Sequence, residues 1–318
     1  MKKSASQQAL GGEPPAAAHE ELVWLLGQPH LADYLDFVRE KVVGGEAMDP
    51  RALADEWRAA NDHLHALEVA EAGIADTAEC LALPKAMRPL ARALGDYPYY
   101  RDTYDTLPTE IRMVELSKLI ASQSSVSPGF SGELRARLGA APTPEALFRF
   151  CLPIERPQPA VRARKTGSNR WLFTSDSTDF RLHRAQLLDP AGIARLATFG
   201  PASHVLALPV GFGSNFLSVV KSDSRLLLQN GYHRAYTLLA AGITHAPAVV
   251  QTVTRKDELA VAANEEVVAN APFYFLARRP PLLRDYLDPR LGKRLFVHRM
   301  QTSVEIEVRT RTTTDYRV

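Results

Sequence analysis

The sequence predicts an α+β protein in three parts: an all-helical N-terminal domain over residues 19–150, an α/β domain over 168–256, and a helix plus strand-rich basic extension over 257–318. Three observations carry that prediction. From His19 to about Phe150, apolar residues recur at three- and four-residue spacing in a background of Ala, Leu, Glu and Arg, which is the pattern of amphipathic helices. Pro153, Pro157 and Pro159 then mark residues 151–167 as an extended linker. Beyond it, short apolar runs alternate with short helical patterns, as in a sheet with crossover helices.

Taken in order, residues 1–18 are small and polar, with Gly11-Gly12 and Pro14-Pro15, and read as a disordered tail. Helices are expected over 20–26, 31–43 and 50–72; Gly44-Gly45 stops the second, and Asp49-Pro50 supplies a cap and first-turn pair for the third. Pro84, Pro89 and Pro98 divide the next stretch into shorter pieces, followed by helices over 111–121, 132–138 and 144–150, the last after a Thr143-Pro144 start. In the α/β part, strands are expected over 170–174, 181–187 and 205–209, with a short helix from Asp189-Pro190 to about Thr198. Strands over 216–221 and 224–229, a helix over 233–241 and a strand over 246–254 complete it. A further helix is expected over 256–268. In 303–310, apolar and polar residues alternate strictly, which predicts a strand with one buried face.

The 318 residues are 46% apolar and 23% charged, a globular composition. The net charge of +2 gives no global footprint for nucleic acid, yet a basic surplus is local: from Arg278 to Val318 there are ten Arg/Lys against five Asp/Glu. Cys80 and Cys151 lack metal-ligand spacing, so a reducing compartment is the default. Met1-Lys2-Lys3 is followed by polar residues rather than an apolar core, and no apolar run approaches ~20 residues. The expectation is a cytoplasmic protein with no membrane span.

The segment that carries chemistry begins at the Ser-Arg-Leu-Leu-Leu-Gln run of 224–229. Asn230-Gly231 follows, a pair suited to positive φ in a tight turn, and then a helix opened by Tyr232-His233-Arg234 and ended by Gly242. The first N–H groups of a helix lack intrahelical partners and its dipole favours negative charge there. Gly231 lets an anion approach the backbone, while His233 and Arg234 add side-chain donors, and the arginine fork matches phosphate oxygens. A plain strand-to-helix turn with surface His and Arg is the alternative.

With the helix, the Ala-Gly-Ile after it and the Pro-Ala-Val-Val strand entry, this Asn-Gly-Tyr-His-Arg-Ala turn resembles the ParB/sulfiredoxin family over about residues 168–256. The upstream order is similar too, with residues 182–188 as first strand, 190–198 as helix, and 205–210 and 216–221 leading to the turn. The resemblance implies a turn that binds the phosphates of ATP or CTP, or faces the backbone of DNA, with Gly231, His233 and Arg234 as phosphate contacts and Asn230 shaping the turn; Asn230, Gly231, Tyr232, His233 and Arg234 are the expected nucleotide-binding residues, with ATP or CTP and magnesium as the expected ligands. Sulfiredoxin-type members place a reactive Cys where this chain has Tyr232, so thiol chemistry is not implied. The partition proteins have an acidic residue there and a helix-turn-helix after the fold, which is not evident beyond Thr254.

Other candidates stay open. Gly211-Phe212-Gly213-Ser214-Asn215 lies between two strands and reads as a hairpin loop, with a ligand-covering loop as the alternative. Glu265-Glu266, Asp176, Asp179 and Asp189 are eligible as base or magnesium ligand. His63 and His65 point to different helix faces, and His183, His204, His245 and His298 have no ligand spacing, so no metal site is expected. Arg278, Arg279, Arg284, Arg290, Lys293, Arg294 and Arg299, among Phe273, Tyr274, Phe275, Tyr286 and Phe296, either track nucleic acid or pair with the acidic N-terminal region. The function expected is nucleotide phosphate binding, with magnesium-dependent hydrolysis or phosphotransfer as its enzymatic extension. A non-catalytic nucleic-acid-binding or regulatory protein, or a nuclease, is the alternative.

Overall fold

The computed structural model describes residues 19–27, 30–154, 158–177, 179–193, 198, 200–299 and 301–314. The expected tail at 1–18 lies outside them. The first half of the chain runs β1 (His19–Leu25), α1 (Leu31–Lys41), α2 (Pro50–Ala70), β2 (Cys80–Leu81), α3 (Arg88–Gly95), α4 (Pro98–Thr103), β3 (Thr109–Glu115), β4 (Ile120–Ala121), β5 (Ser125–Val126), α5 (Pro128–Leu138) and α6 (Pro144–Cys151). It continues through β6 (Arg162–Lys165), β7 (Arg170–Ser175), β8 (Phe180–Leu182), β9 (Gln186–Leu188), β10 (Val205–Ala207), β11 (Val210–Phe212), β12 (Ser218–Ser222), β13 (Arg225–Asn230), α7 (Tyr232–Ala240) and β14 (His245–Val253). Last come α8 (Lys256–Ala262), α9 (Glu265–Ala269), α10 (Ala271–Phe275), β15 (Gly292–His298) and β16 (Thr302–Glu307). Helices and strands are both abundant, an α+β fold.

A six-stranded sheet, in the order β2-β3-β14-β12-β13-β4, organises the molecule. Its centre is apolar on both faces: Val219, Val220, Leu226, Leu227, Leu228, Val249 and Val250 are all buried, as expected of strands covered on each side. β12 and β13 form an antiparallel hairpin, and α7 carries the chain from β13 across to β14, which runs parallel to β12. Six of the nine residues of α7 are buried and only Ala240 is exposed, so this helix is an internal element rather than a surface one. It packs against α5, where Thr237 Oγ1 donates to Ser131 O, and its Tyr236 ring meets Tyr286 edge-on in a 3-10 turn over Leu283–Leu287.

The expectation of an all-helical segment over 19–150 is corrected, because β1 to β5 lie within it. The helix expected over 20–26 is instead strand β1, which runs to Leu25. Val23 and Leu25 enter the main core while Trp24 and Leu26 enter a second core with α1 and α2, so the apolar residues split by parity between two cores. That period-two division, with full pairing of β1 to β15, overrides the helix propensity of its Glu and Leu residues. Residues 111–121 likewise become β3, a 3-10 turn and β4; β3 pairs along its whole length with β14. The sheet that holds the turn at 230–234 is therefore built partly from residues 80–121.

The other expected helices form with the caps the sequence predicts. Asp49 accepts from Arg51 N at α2, Thr143 from Ala146 N at α6, and Gly44 adopts φ 72° after α1. α5 starts earlier than expected, at Pro128, with Ser127 as cap. The expected strand at 181–187 is split into β8 and β9, which pair with β11 and β10 as two ribbons outside the central sheet. Residues 190–192 form only a 3-10 turn; the rest of that expected helix falls largely outside the described residues. The helix expected over 256–268 is broken at Asn264, which caps α9. Among the described residues no helix is long and apolar enough to cross a membrane.

Candidate functional site

Gly231 takes φ 90°, a left-handed value that opens α7, and its Cα lies against Leu217: an added Cβ would stand 3.0 Å from Leu217 Cα. Glycine is required here by a close approach of the chain to itself. The turn's side chains are engaged in the same way. Asn230 Nδ2 donates to Ser214 O, and Asn230 Oδ1 accepts from Gly231 N at 2.7 Å. Arg234, 6% exposed, donates both to Asn215 O and to Asn215 Oδ1. Together these clamp residues 214–217, the end of the glycine-rich segment.

Tyr232 points into the core. Its hydroxyl donates to Leu228 O at 2.7 Å and accepts from Ser122 N at 2.8 Å, and burial pushes its pKa up. His233 packs edge-on against Phe130, ring centroids 5.2 Å apart, and burial lowers its pKa to about 4, with Arg234 adding to the effect and Glu20 opposing it. His233 is therefore a neutral ring at physiological pH rather than a cationic donor. Of the five residues singled out from the sequence, Asn230 lines the cavity beside the turn and the other four do not.

That cavity, about 250 Å³, lies where the turn, the clamped loop and α4 converge, with Arg181, Ser214, Ser218, Gln229, Asn230 and Gln251 in its wall. The backbone explains two of these. β12 pairs Ser218 with Asn230 but Val219 with Leu228, so the register shifts at Gln229 and re-aims the side chains around it. Gln251 is buried in β14 after Ala248-Val249-Val250, an amide among apolar neighbours. Tyr104 closes the floor, its hydroxyl 3.4 Å from Ser214 Oγ, and burial raises its pKa, so it is a neutral phenol. Arg181 is exposed at the rim and bonded to Asp179. Tyr99, close enough to feel both charges, has its pKa raised chiefly by burial.

The Gly211–Asn215 segment is not a hairpin loop. β11 pairs with β8 and β12 with β13 and β14, so the segment passes between sheets and reaches the cavity through Gly213 and Ser214. Of the carboxylates considered from the sequence, Asp179 alone lies beside the cavity, its Oδ1 next to Gly213. Asp176 accepts from Gln301, Asp189 caps the 190–192 turn, and Glu266 accepts from Tyr274 OH at 2.9 Å. Among the described residues, no three His, Cys, Asp or Glu side chains gather as a metal site would need.

The basic C-terminal residues are mostly paired. Arg279, 3% exposed, makes a forked pair with Asp285 at 2.5 and 2.6 Å and also bonds Glu71. Arg284 reaches Glu71, Lys293 reaches Glu56, Arg294 reaches Glu21, and Arg290 bonds Asp288, which also accepts His63. These pairs fasten the C-terminal segment to α2 and β1. A second concavity, about 620 Å³, follows the same charges.

Arg181, Tyr104, Ser218 and Gln251 escaped sequence reasoning. Gln251 alone carried a signal, a polar residue interrupting a buried strand run. Comparison with protein-family models, with curated proteins and with solved structures gave no match.

Proposed function

We propose that this protein binds a nucleotide, ATP or CTP with magnesium, by its phosphate and sugar in the cavity beside the Asn230–Arg234 turn. The observation that carries the reading is the convergence of Asn230, the clamped Gly213–Ser214 backbone, the buried Gln251 amide and the Arg181 guanidinium on one polar cavity. Arg181, ion-paired with Asp179 at the rim, is the cation that a phosphate oxygen would share with that carboxylate, and the hydroxyls and amides suit ribose and phosphate hydrogen bonds. The volume is below the roughly 300–1,000 Å³ of sites that enclose a whole drug-sized ligand, so the base lies outside, near the 42% exposed ring of Tyr99. Arg234, Gly231 and Tyr232 act on this reading by holding the loop and the turn.

Magnesium usually keeps several waters and binds through substrate phosphates, so it needs few protein ligands. Asp179 is the candidate base for a hydrolysis or phosphotransfer step. No observation favours nucleic-acid binding through Arg278–Arg299 or a nuclease, since five of those seven cations pair with carboxylates. Equilibrium titration with ATP, CTP and GTP in magnesium tests the proposal. Binding should weaken roughly tenfold or more in Arg181→Ala, as expected for loss of a charged hydrogen bond; absent binding, or equal binding by the variant, refutes it.

A further inference from the structure

The wall of the cavity beside the turn divides into polar groups that the fold already engages and two that it does not. The Tyr104 hydroxyl takes up those of Ser214 and Ser218. Thr103 donates to Tyr99 O and Thr106 to Asp105, while Asn230 engages both ends of its amide in the turn. Arg181 pairs with Asp179 at the rim. The side-chain amides of Gln229 and Gln251 line the same wall and have no hydrogen-bond partner among the described residues.

Gln251 is 9% exposed, and its pairing with Val220 sets it on the sheet face that carries Ser218. Val261 and Ala262 of α8 line the cavity with it. Gln229 lies at the register shift between the Ser218–Asn230 and Val219–Leu228 pairs, on the other side of β12. An amide has one acceptor oxygen and two N–H donors, and burying it without partners is unfavourable. A leucine at 251 would continue the buried run Ala248-Val249-Val250 in the same space, so packing gives no reason for an amide there.

We propose that Gln229 and Gln251 hold the 2′,3′-diol of a ribose, so that the cavity selects ribonucleotides over their deoxy analogues; this rests on the nucleotide reading above. A phosphate oxygen only accepts hydrogen bonds, and it would leave each amide oxygen facing negative charge. A sugar hydroxyl donates and accepts at once, and a vicinal pair offers one hydroxyl to each amide. The phosphate then lies toward Arg181 and the base outside, so the base adds nothing to the sugar preference. Removing one hydroxyl strands an amide, which is how a polar site rejects an analogue lacking the group it binds. A water in the vacated space recovers part of that loss.

The test is equilibrium titration of the full chain, in magnesium, with the tighter-binding of ATP and CTP and with its 2′-deoxy and 3′-deoxy analogues. Each analogue should bind roughly tenfold more weakly than the parent. Gln251→Leu should bring one of the two ratios close to one and Gln229→Leu the other. Arg181→Ala should weaken all three ligands and leave both ratios in place. If the parent binds and either analogue matches it, the proposal is overturned and the nucleotide reading stands; if no nucleotide binds, both fall. Ratios that survive in both glutamine variants, or displacement of the nucleotide by an equal concentration of free ribose, also overturn it. Should Gln251→Leu fail to fold, the ratios of the native protein and of Gln229→Leu decide it.

Discussion

Acidification is predicted to loosen the protein through His233. Its half-buried ring packs edge-on against Phe130, and its folded pKa is lowered to about 4 against the ordinary 6.5. A folded pKa below the unfolded one means that the unfolded chain binds the proton first, so the stability is complete above about pH 6.5 and is lost as pH falls toward 4. Between about pH 7.5 and 4.5 the two values give a loss on the order of 2–3 kcal/mol from this residue alone. Urea unfolding across that range, for the native protein and for His233→Phe, isolates the contribution: carboxylates titrate in both proteins and cancel in the difference. Phenylalanine keeps an aromatic ring against Phe130 and carries no proton. The stability difference between the two should grow steadily in favour of the variant as pH falls. A flat difference would show that the ring is charged or solvated when folded, and the description of α7 as an internal helix would fail at its first turn.

Gly231→Ala should cost about 3 kcal/mol, from a left-handed backbone and a Cβ pressed on Leu217; Gly242→Ala, at φ 79° with open space around it, should cost only about 1–2 kcal/mol, and equal losses would remove the close approach from the account. Arg279→Met strands the buried Asp285 carboxylate and should lower stability by about 3–5 kcal/mol, read as a fall in the thermal midpoint; a loss below about 1 kcal/mol would mean that the network is solvated. Asn215→Ala removes one acceptor of Arg234 and should weaken nucleotide binding through the displaced loop while the far-ultraviolet circular dichroism stays native; unchanged binding would separate the clamp from the cavity.

Much of the fold around the turn was legible because its signals are local. Leu226–Leu228 are a buried strand run, Gly231 permits the left-handed backbone that the turn adopts, and Gly242, at φ 79°, ends α7. Caps at Asp49 and Thr143 were equally local. β1 and β3 were not legible as strands, because what makes them so is their partner: β1 pairs with residues 292–298 and β3 with residues 245–251, neither nearby in sequence. The candidate site divides the same way. Sequence pattern picked out the turn, whereas the destination of its donors depends on residues 214–217, which only the folded chain brings to Arg234 and Asn230. Arg181 and Tyr104 reach the cavity from separate segments and had no local signature.

The central claim is most directly tested by a crystal structure of the protein with a slowly hydrolysed ATP or CTP analogue and magnesium. Phosphate density is expected in the cavity, within hydrogen-bond distance of Arg181 and Asn230, with the loop at 213–215 still held by Arg234. A nucleotide bound elsewhere, or phosphates inserted between Gly231 and Leu217 with the Arg234–Asn215 pair broken, would contradict it.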